Sequence, residues 1–189
     1  MIACIPPETD TEPDEPGPAP VLATARLALR PLNMADAGWI ARGASNLKVA
    51  RMTASISHPY PPLAAELFIL SMRAAEAGRG DRVRAVTRRA DGAPLGLMGL
   101  HPRADGAWEL GYWVDEAQWG RGFATEAGAA LLAEADALGL GPVVAGHYAD
   151  NPASGRVLEK LGFAYTGEVE DAFSMGRMAS APCRRMARG

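Results

Sequence analysis

The stretch Trp119-Gly120-Arg121-Gly122-Phe123-Ala124-Thr125-Glu126-Ala127 decides how this chain is read. It follows a short apolar run, Leu110 to Val114, and opens an Ala/Leu-rich helical pattern. Gly120 and Gly122 let the backbone turn tightly and come close to a ligand. The helix that follows brings unpaired N–H groups and the positive end of its dipole. Together these make a site for a phosphate or pyrophosphate. The turn lacks the third glycine of a dinucleotide fingerprint, because that position is Thr125, and several strand candidates precede it. A P-loop ending in Gly-Lys-Ser/Thr is also absent. The competing reading is a glycine-shaped strand–helix junction that binds nothing.

Upstream, three strands stand at hairpin spacing: Arg82 to Arg88, Leu95 to Leu100, and Trp108 to Val114. Asp91-Gly92 and Asp105-Gly106 mark the turns of an antiparallel meander. Downstream, a helix runs from about Gly122 to Ala137, with Phe123, Ala127, Leu131 and Ala135 as its buried stripe. Val143 to Tyr148 is a strand that returns to the sheet by a right-handed crossover. Asn151-Pro152 starts another helix, which ends at Gly162. Phe163 to Glu170 and Cys183 to Met186 are late strands joined by a polar segment. Toward the N-terminus, Arg26 to Leu32 alternates as a first strand, and Asn33 to about Ala44 is a short helix capped by Asn33. Ser57 to Pro62 holds three prolines and is a loop. Leu63 to Ala77 is a helix, since Leu63, Leu67, Leu70 and Ala74 recur at helical spacing. The sum is an α+β domain: a mixed, mostly antiparallel central sheet flanked by helices.

The chain has 189 residues, enough for one domain with a real core. Residues 1–20 hold six prolines and five carboxylates, and are expected to be a disordered acidic tail. Residues 21–189 form the single domain. Removing the tail's −5 from the net charge of −3 leaves +2, so no broad basic field invites nucleic acid. No apolar run is long enough to span a membrane, and no secretory signal is expected. Cys4 and Cys183 suggest no disulfide framework, and a reducing cytoplasm is the expected compartment. His58, His101 and His147 show no metal-ligand spacing, so no metal is expected.

Several blocks in fixed order carry a resemblance. They are Arg26-Leu27-x-Leu29-Arg30-Pro31, Glu109-Leu110-Gly111-Tyr112-Trp113-Val114, the turn through Glu126, and Asn151 to Gly162-Phe163. From about Thr24 to Arg188 the chain resembles the GNAT superfamily of acyl-CoA-dependent N-acyltransferases. More narrowly, it is similar to the subgroup of ribosomal-protein alanine N-acetyltransferases. The resemblance implies that acetyl-CoA is the co-substrate and that its pyrophosphate sits on Gly120, Arg121, Gly122, Phe123 and Ala124, with Trp119 and Thr125 also in the cofactor site. The common Gln or Arg at the head of the turn is Trp119 here, a substitution usual in that subgroup. It further implies that the acetyl-pantetheine arm lies beside Tyr112, Trp113 and Val114, one of which polarises the carbonyl through its N–H.

The implied chemistry is the direct attack of a primary amine on the thioester, with the two substrates held together. Glu109, in an apolar strand, is the first candidate for general base, or else it faces solvent or pairs with an arginine such as Arg84. Asn151 caps its helix, and the resemblance adds a cofactor contact. Ser154 is a candidate donor to the leaving thiolate and touches the same arm, with Tyr148 as runner-up and Tyr165 behind it. Met52 to Pro62, with His58 and Tyr60, is the expected wall of the acceptor site, to which Glu109 also belongs. The acceptor is a protein N-terminal α-amine, or alternatively a small-molecule amine or antibiotic. A different class is a CoA-binding regulatory or interaction domain without catalysis. The protein is expected to be a monomer or homodimer.

Overall fold

The computed structural model describes residues 20–189. The expected tail over residues 1–20 and Cys4 therefore lie, Pro20 apart, outside the described residues. The strands are β1 (Leu22–Ala23), β2 (Leu27–Pro31), β3 (Arg82–Arg88), β4 (Pro94–Pro102), β5 (Trp108–Val114), β6 (Val143–Tyr148), β7 (Ala164–Ser174) and β8 (Ala179–Arg188). The helices are α1 (Ala37–Ala44), α2 (Leu47–Ala50), α3 (Pro62–Arg79), α4 (Phe123–Ala137) and α5 (Pro152–Lys160). One eight-stranded sheet runs β1-β2-β3-β4-β5-β6-β8-β7. Every neighbouring pair is antiparallel except β5 and β6, which are parallel and joined through α4. The α+β class with a mostly antiparallel sheet is as expected.

Two apolar clusters divide the faces. On the back face, Phe123, Ala127, Leu131 and Ala135 of α4 pack with Leu158, Leu161 and the strand residues Leu110, Val143 and Ala145. The helical stripe read for α4 is the buried one. The backbone of α4 comes close to its neighbour at Gly128, where a Cβ would stand 2.5 Å from Leu161. On the front face, Ile40, Ala41, Ala65 and Ile69 of α1 and α3 cover Val83, Ala85 and Leu97.

Helical spacing gave α3 but not its inner face. Leu63, Leu67 and Leu70 are 62%, 58% and 52% exposed, while Ala65, Ile69 and Ala75 are buried. Both sides of this helix carry apolar residues, so periodicity alone does not orient it. The late strands are longer than expected and form one hairpin, with turns at residues 175–178.

The helix expected over Asn33–Ala44 is split. A 3₁₀ turn, Met34–Asp36, precedes α1. Asp36 fixes this junction: it accepts from Asn33 N–H at 2.9 Å, Trp39 Nε1 at 2.8 Å and Arg30 at 2.6 and 2.8 Å. Burial pushes its carboxyl up, but these donors outweigh burial and hold it below the ordinary value. The stability this adds is complete above the unfolded carboxyl's pKa of about 3.9 and is lost as pH falls through the lower folded value. Urea midpoints measured from neutral pH downward will therefore fall less steeply below about pH 4 in Asp36→Asn than in the parent.

Candidate active site

The parallel pair β5–β6 is joined only at its start, by Trp108 with Val143 and Glu109 with Val144. Beyond these positions Leu110–Val114 and Ala145–Tyr148 part and leave a slot. Backbone alternation decides which groups face it. Trp108 N–H donates to Pro142 across β5–β6, and Asp115 N–H donates to Leu95 on the β4 side. Even-numbered residues of β5 thus turn their N–H groups toward β6, so Tyr112 and Val114 face the slot. Trp113 N–H faces β4 instead.

The slot ends at the glycine turn. Gly120 and Gly122 have φ of 74° and 78°, the left-handed region that suits glycine. The first helix bond closing back on the turn runs from Glu126 N–H to Gly122 C=O, 3.0 Å. Phe123, Ala124 and Thr125 therefore keep N–H groups with no helical partner. Trp119 does work that spacing could not reveal: its indole N–H donates to Val114 C=O at 2.7 Å. It thereby satisfies the last carbonyl of β5 and anchors the turn to that strand. Arg121 is exposed and its carbonyl accepts from Arg26 at 3.1 Å. Glu126 ties α4 to the first strand by accepting from Thr24 Oγ1 at 2.5 Å and from Arg26 N–H at 2.9 Å.

On the back of the slot Tyr112 meets α5. Its hydroxyl is 2.7 Å from Ser154 Oγ, and burial pushes the phenol up to about 12. Asn151 caps α5, its side-chain oxygen accepting from Ser154 N–H at 3.2 Å.

The family model described as "Acetyltransferase (GNAT) domain" matches residues 26–164. The chain belongs to the GNAT acetyltransferases. No curated protein sequence is significantly similar to it. Among solved structures, the RimL ribosomal L7/L12 alpha-N-protein acetyltransferase in complex with coenzyme A aligns at a TM-score of 0.78 and 17% identity, over 89% of this chain and 97% of that one. A GNAT-family acetyltransferase from Bacillus anthracis aligns at 0.75 and 18%, over 88% and 96%. The ribosomal-protein-S5-alanine acetyltransferase from Vibrio fischeri aligns at 0.74 and 18%, over 90% and 96%. At these identities the likeness is one of fold.

The remaining candidates fall in different places within the GNAT framework. Glu109 sits on the front face at the closed end of the slot. Its two oxygens accept from Arg185 at 3.0 Å and Arg103 at 3.2 Å. Arg84 pairs with Glu76 at 2.8 Å instead. Tyr148 is buried, its hydroxyl donates to Phe173 C=O at 3.0 Å, and burial pushes the phenol up. Tyr165 is 3.1 Å from His147 Nε2 on the back face. Tyr60 packs on the α1–α3 cluster, and His58 is exposed.

The loop carrying the expected acceptor wall is fastened to the β7–β8 hairpin. Ser174 Oγ donates to Thr53 C=O at 2.8 Å and Met175 N–H to Ala54 C=O at 2.9 Å. Arg177 donates to Arg51 C=O at 2.5 Å and to Asp150 at 2.8 and 2.9 Å. Sequence reading missed this clasp, because its partners lie more than a hundred positions apart and no local pattern links them. Among the described residues no cluster of His, Cys, Asp and Glu could hold a metal ion, and no helix is long and apolar enough to cross a membrane.

Proposed function

We propose that the chain moves the acetyl group of acetyl-CoA to a primary amine by direct attack, with a protein N-terminal α-amine as the acceptor class. The observation that carries this reading is the slot between β5 and β6, which runs from inward-facing N–H groups to the glycine turn. The residues fit acetyl-CoA. Open space lies around Gly120, where a Cβ would meet nothing within 4 Å. The unpaired amides of Phe123, Ala124 and Thr125 suit a pyrophosphate.

Bound acetyl-CoA supplies an electrophilic thioester carbonyl. Tyr112 and Val114 offer N–H groups to its oxygen as negative charge develops there. Ser154, hydrogen-bonded to Tyr112, is the candidate to relay a proton from the attacking nitrogen to the departing sulfur. Trp119 and Asn151 follow the C-terminal ends of β5 and β6 and flank the open end of the slot. Glu109, His58 and Tyr60 are assigned to the acceptor side. The α-amine acceptor draws support from the neighbour named as a ribosomal L7/L12 alpha-N-protein acetyltransferase, which aligns over 89% of this chain.

Turnover of acetyl-CoA against free α-amine peptides, polyamines and aminoglycosides tests the proposal. Released CoA and acceptor mass are followed together. Acetylated peptide N-termini are the expected product. Acetylation of polyamines or aminoglycosides alone sinks the acceptor class. Cofactor binding without product on any amine sinks the transfer reading, and no binding sinks the assignment of the turn.

A further inference from the structure

Asp81 and His101 form a hydrogen-bonded pair on the front face, and the chemistry above uses neither. His101 stands opposite Glu109 in the β4–β5 register, so both side chains project from the same face. His101 Nδ1 is 2.7 Å from Asp81 Oδ1. Asp81 is 1% exposed and also accepts from Arg79 Nε at 3.1 Å. An ionised carboxylate only accepts, so Nδ1 carries a proton and, in the neutral ring, Nε2 holds the lone pair. Nε2 has no hydrogen-bond partner among the described residues.

The imidazole leans across a floor that carries no side chains. Gly99 and Gly111 are register partners, and a Cβ on them would stand 3.2 Å and 4.0 Å from Nε2. Nε2 thus lies over the Gly99–Gly111 pair, and Tyr112 follows Gly111 on β5. Gly146 lies two residues past Val144 on β6, as Gly111 lies two past its partner Glu109. A third glycine therefore faces Gly111 across the slot. A Cβ there would come 2.9 Å from both Arg185 Nη1 and Cys183 Sγ. The glycine floor spans β4 and β5, the Arg185 and Cys183 side chains close it at Gly146, and His101, 39% exposed at its side chain, stands at one end.

We infer that His101, oriented by Asp81, is the group that takes the proton from the acceptor amine, directly or through one water. The inference rests on the acetyltransferase reading and deepens it. Glu109 is the weaker candidate on geometry, since both its oxygens already accept from guanidinium groups. The step balances without a further reactant. An incoming ammonium gives one proton to His101 Nε2 and becomes a neutral amine. Its nitrogen forms the N–C bond, and the C–S bond breaks. The nitrogen's second departing proton goes to the CoA sulfur, and His101 releases its own to solvent. Asp81 is a positioning residue, because it fixes which imidazole nitrogen is bare.

The groups that face the imidazole are Asp81 before β3, with Arg79 of α3 behind it, and Glu109 of β5, held by Arg103 and Arg185. The test uses the full chain and a peptide acceptor, with kcat/KM followed across pH in the parent, His101→Gln, Asp81→Asn and Glu109→Gln. His101→Gln is expected to lower kcat/KM by about 10²–10⁴ and to lose the acidic limb of the profile, with acetyl-CoA affinity held within about twofold. Glu109→Gln is expected to keep that limb. In Asp81→Asn the new amide can donate to Nδ1 and move the ring proton to Nε2. Nitrogen-15 NMR of the imidazole should report Nδ1–H in the parent and the other tautomer in this variant, a change that a merely structural Asp81 would not produce. Activity of His101→Gln within about threefold of the parent, or loss of the limb in Glu109→Gln instead, overturns the inference while leaving acetyl transfer intact. A parent that acetylates no amine overturns both together.

Discussion

Gly122→Val weakens acetyl-CoA binding by about tenfold to a hundredfold while the chain stays folded. Gly122 has φ of 78° at the head of α4, and a β-branched residue held there costs about 1–3 kcal/mol. Space is not the difficulty: the nearest atom to an added Cβ is Arg26 Nη2 at 3.6 Å, an ordinary contact. The strain is relieved by rotating the peptide that precedes Phe123. That rotation turns the Phe123 N–H away from the phosphate position, so the loss is felt in affinity. Gly139→Ala is the matched control, with φ of 64° and nothing within 4 Å at the far end of the same helix. It shares the backbone strain but is remote from the turn. Calorimetric titration of both variants checks the prediction. Equal affinity in Gly122→Val and the parent removes the turn from the cofactor site.

Gly96→Ala is the largest expected loss of stability, about 3 kcal/mol or more. A Cβ on Gly96 would lie 2.2 Å from the Trp113 carbonyl oxygen and 2.8 Å from Val114 Cα. Both are backbone atoms of the next strand, so no side chain can swing aside. Either β4 or β5 must shift. Trp113 has little freedom to follow, since its ring lies against Gly43 of α1, where a Cβ would come within 2.7 Å of it. The lesion also falls on Val114, whose N–H faces the slot and whose carbonyl holds Trp119. Urea denaturation should show a lower midpoint with an unchanged slope. Gly92→Ala, in a turn with open space, should cost only about 1 kcal/mol. A midpoint for Gly96→Ala no lower than that of Gly92→Ala would mean that the strands separate without penalty.

The parts legible in the sequence are those whose causes are local. Val143 to Tyr148 reads as a strand and is β6 to the residue. Asn151-Pro152 reads as a cap and first turn because both residues act on their own backbone. Gly162 reads as a left-handed cap and has φ of 87°. The β7–β8 hairpin was read short because β7 is exposed along nearly its whole length and offers no alternation to count. Pro182 also lies inside β8, where a strand reading would stop. The short α2 was not read, since four residues carry too little periodicity.

At the candidate site, the glycine turn and the Asn151–Ser154 block could be found by spacing. The partners of Glu109 could not, because Arg103 and Arg185 reach it through sheet register and an antiparallel return. Asp81 and His101 are separated by a whole hairpin. Nothing in the spacing of twenty positions says that one buried carboxylate will orient the other's ring.

The clasp between residues 51–54 and residues 174–177 makes two distant segments one inherited part. Residues 174, 175 and 177 donate to the backbone carbonyls of residues 53, 54 and 51, so exchanging the hairpin tip alone leaves those carbonyls without donors. Grafts from related proteins should succeed as a paired cassette and fail singly. Ser174→Ala should loosen the loop, whereas Thr53→Ala keeps the accepting carbonyl and should leave that bond in place. An exchange of the proposed acceptor-side loop would then carry the hairpin tip with it, across more than a hundred positions.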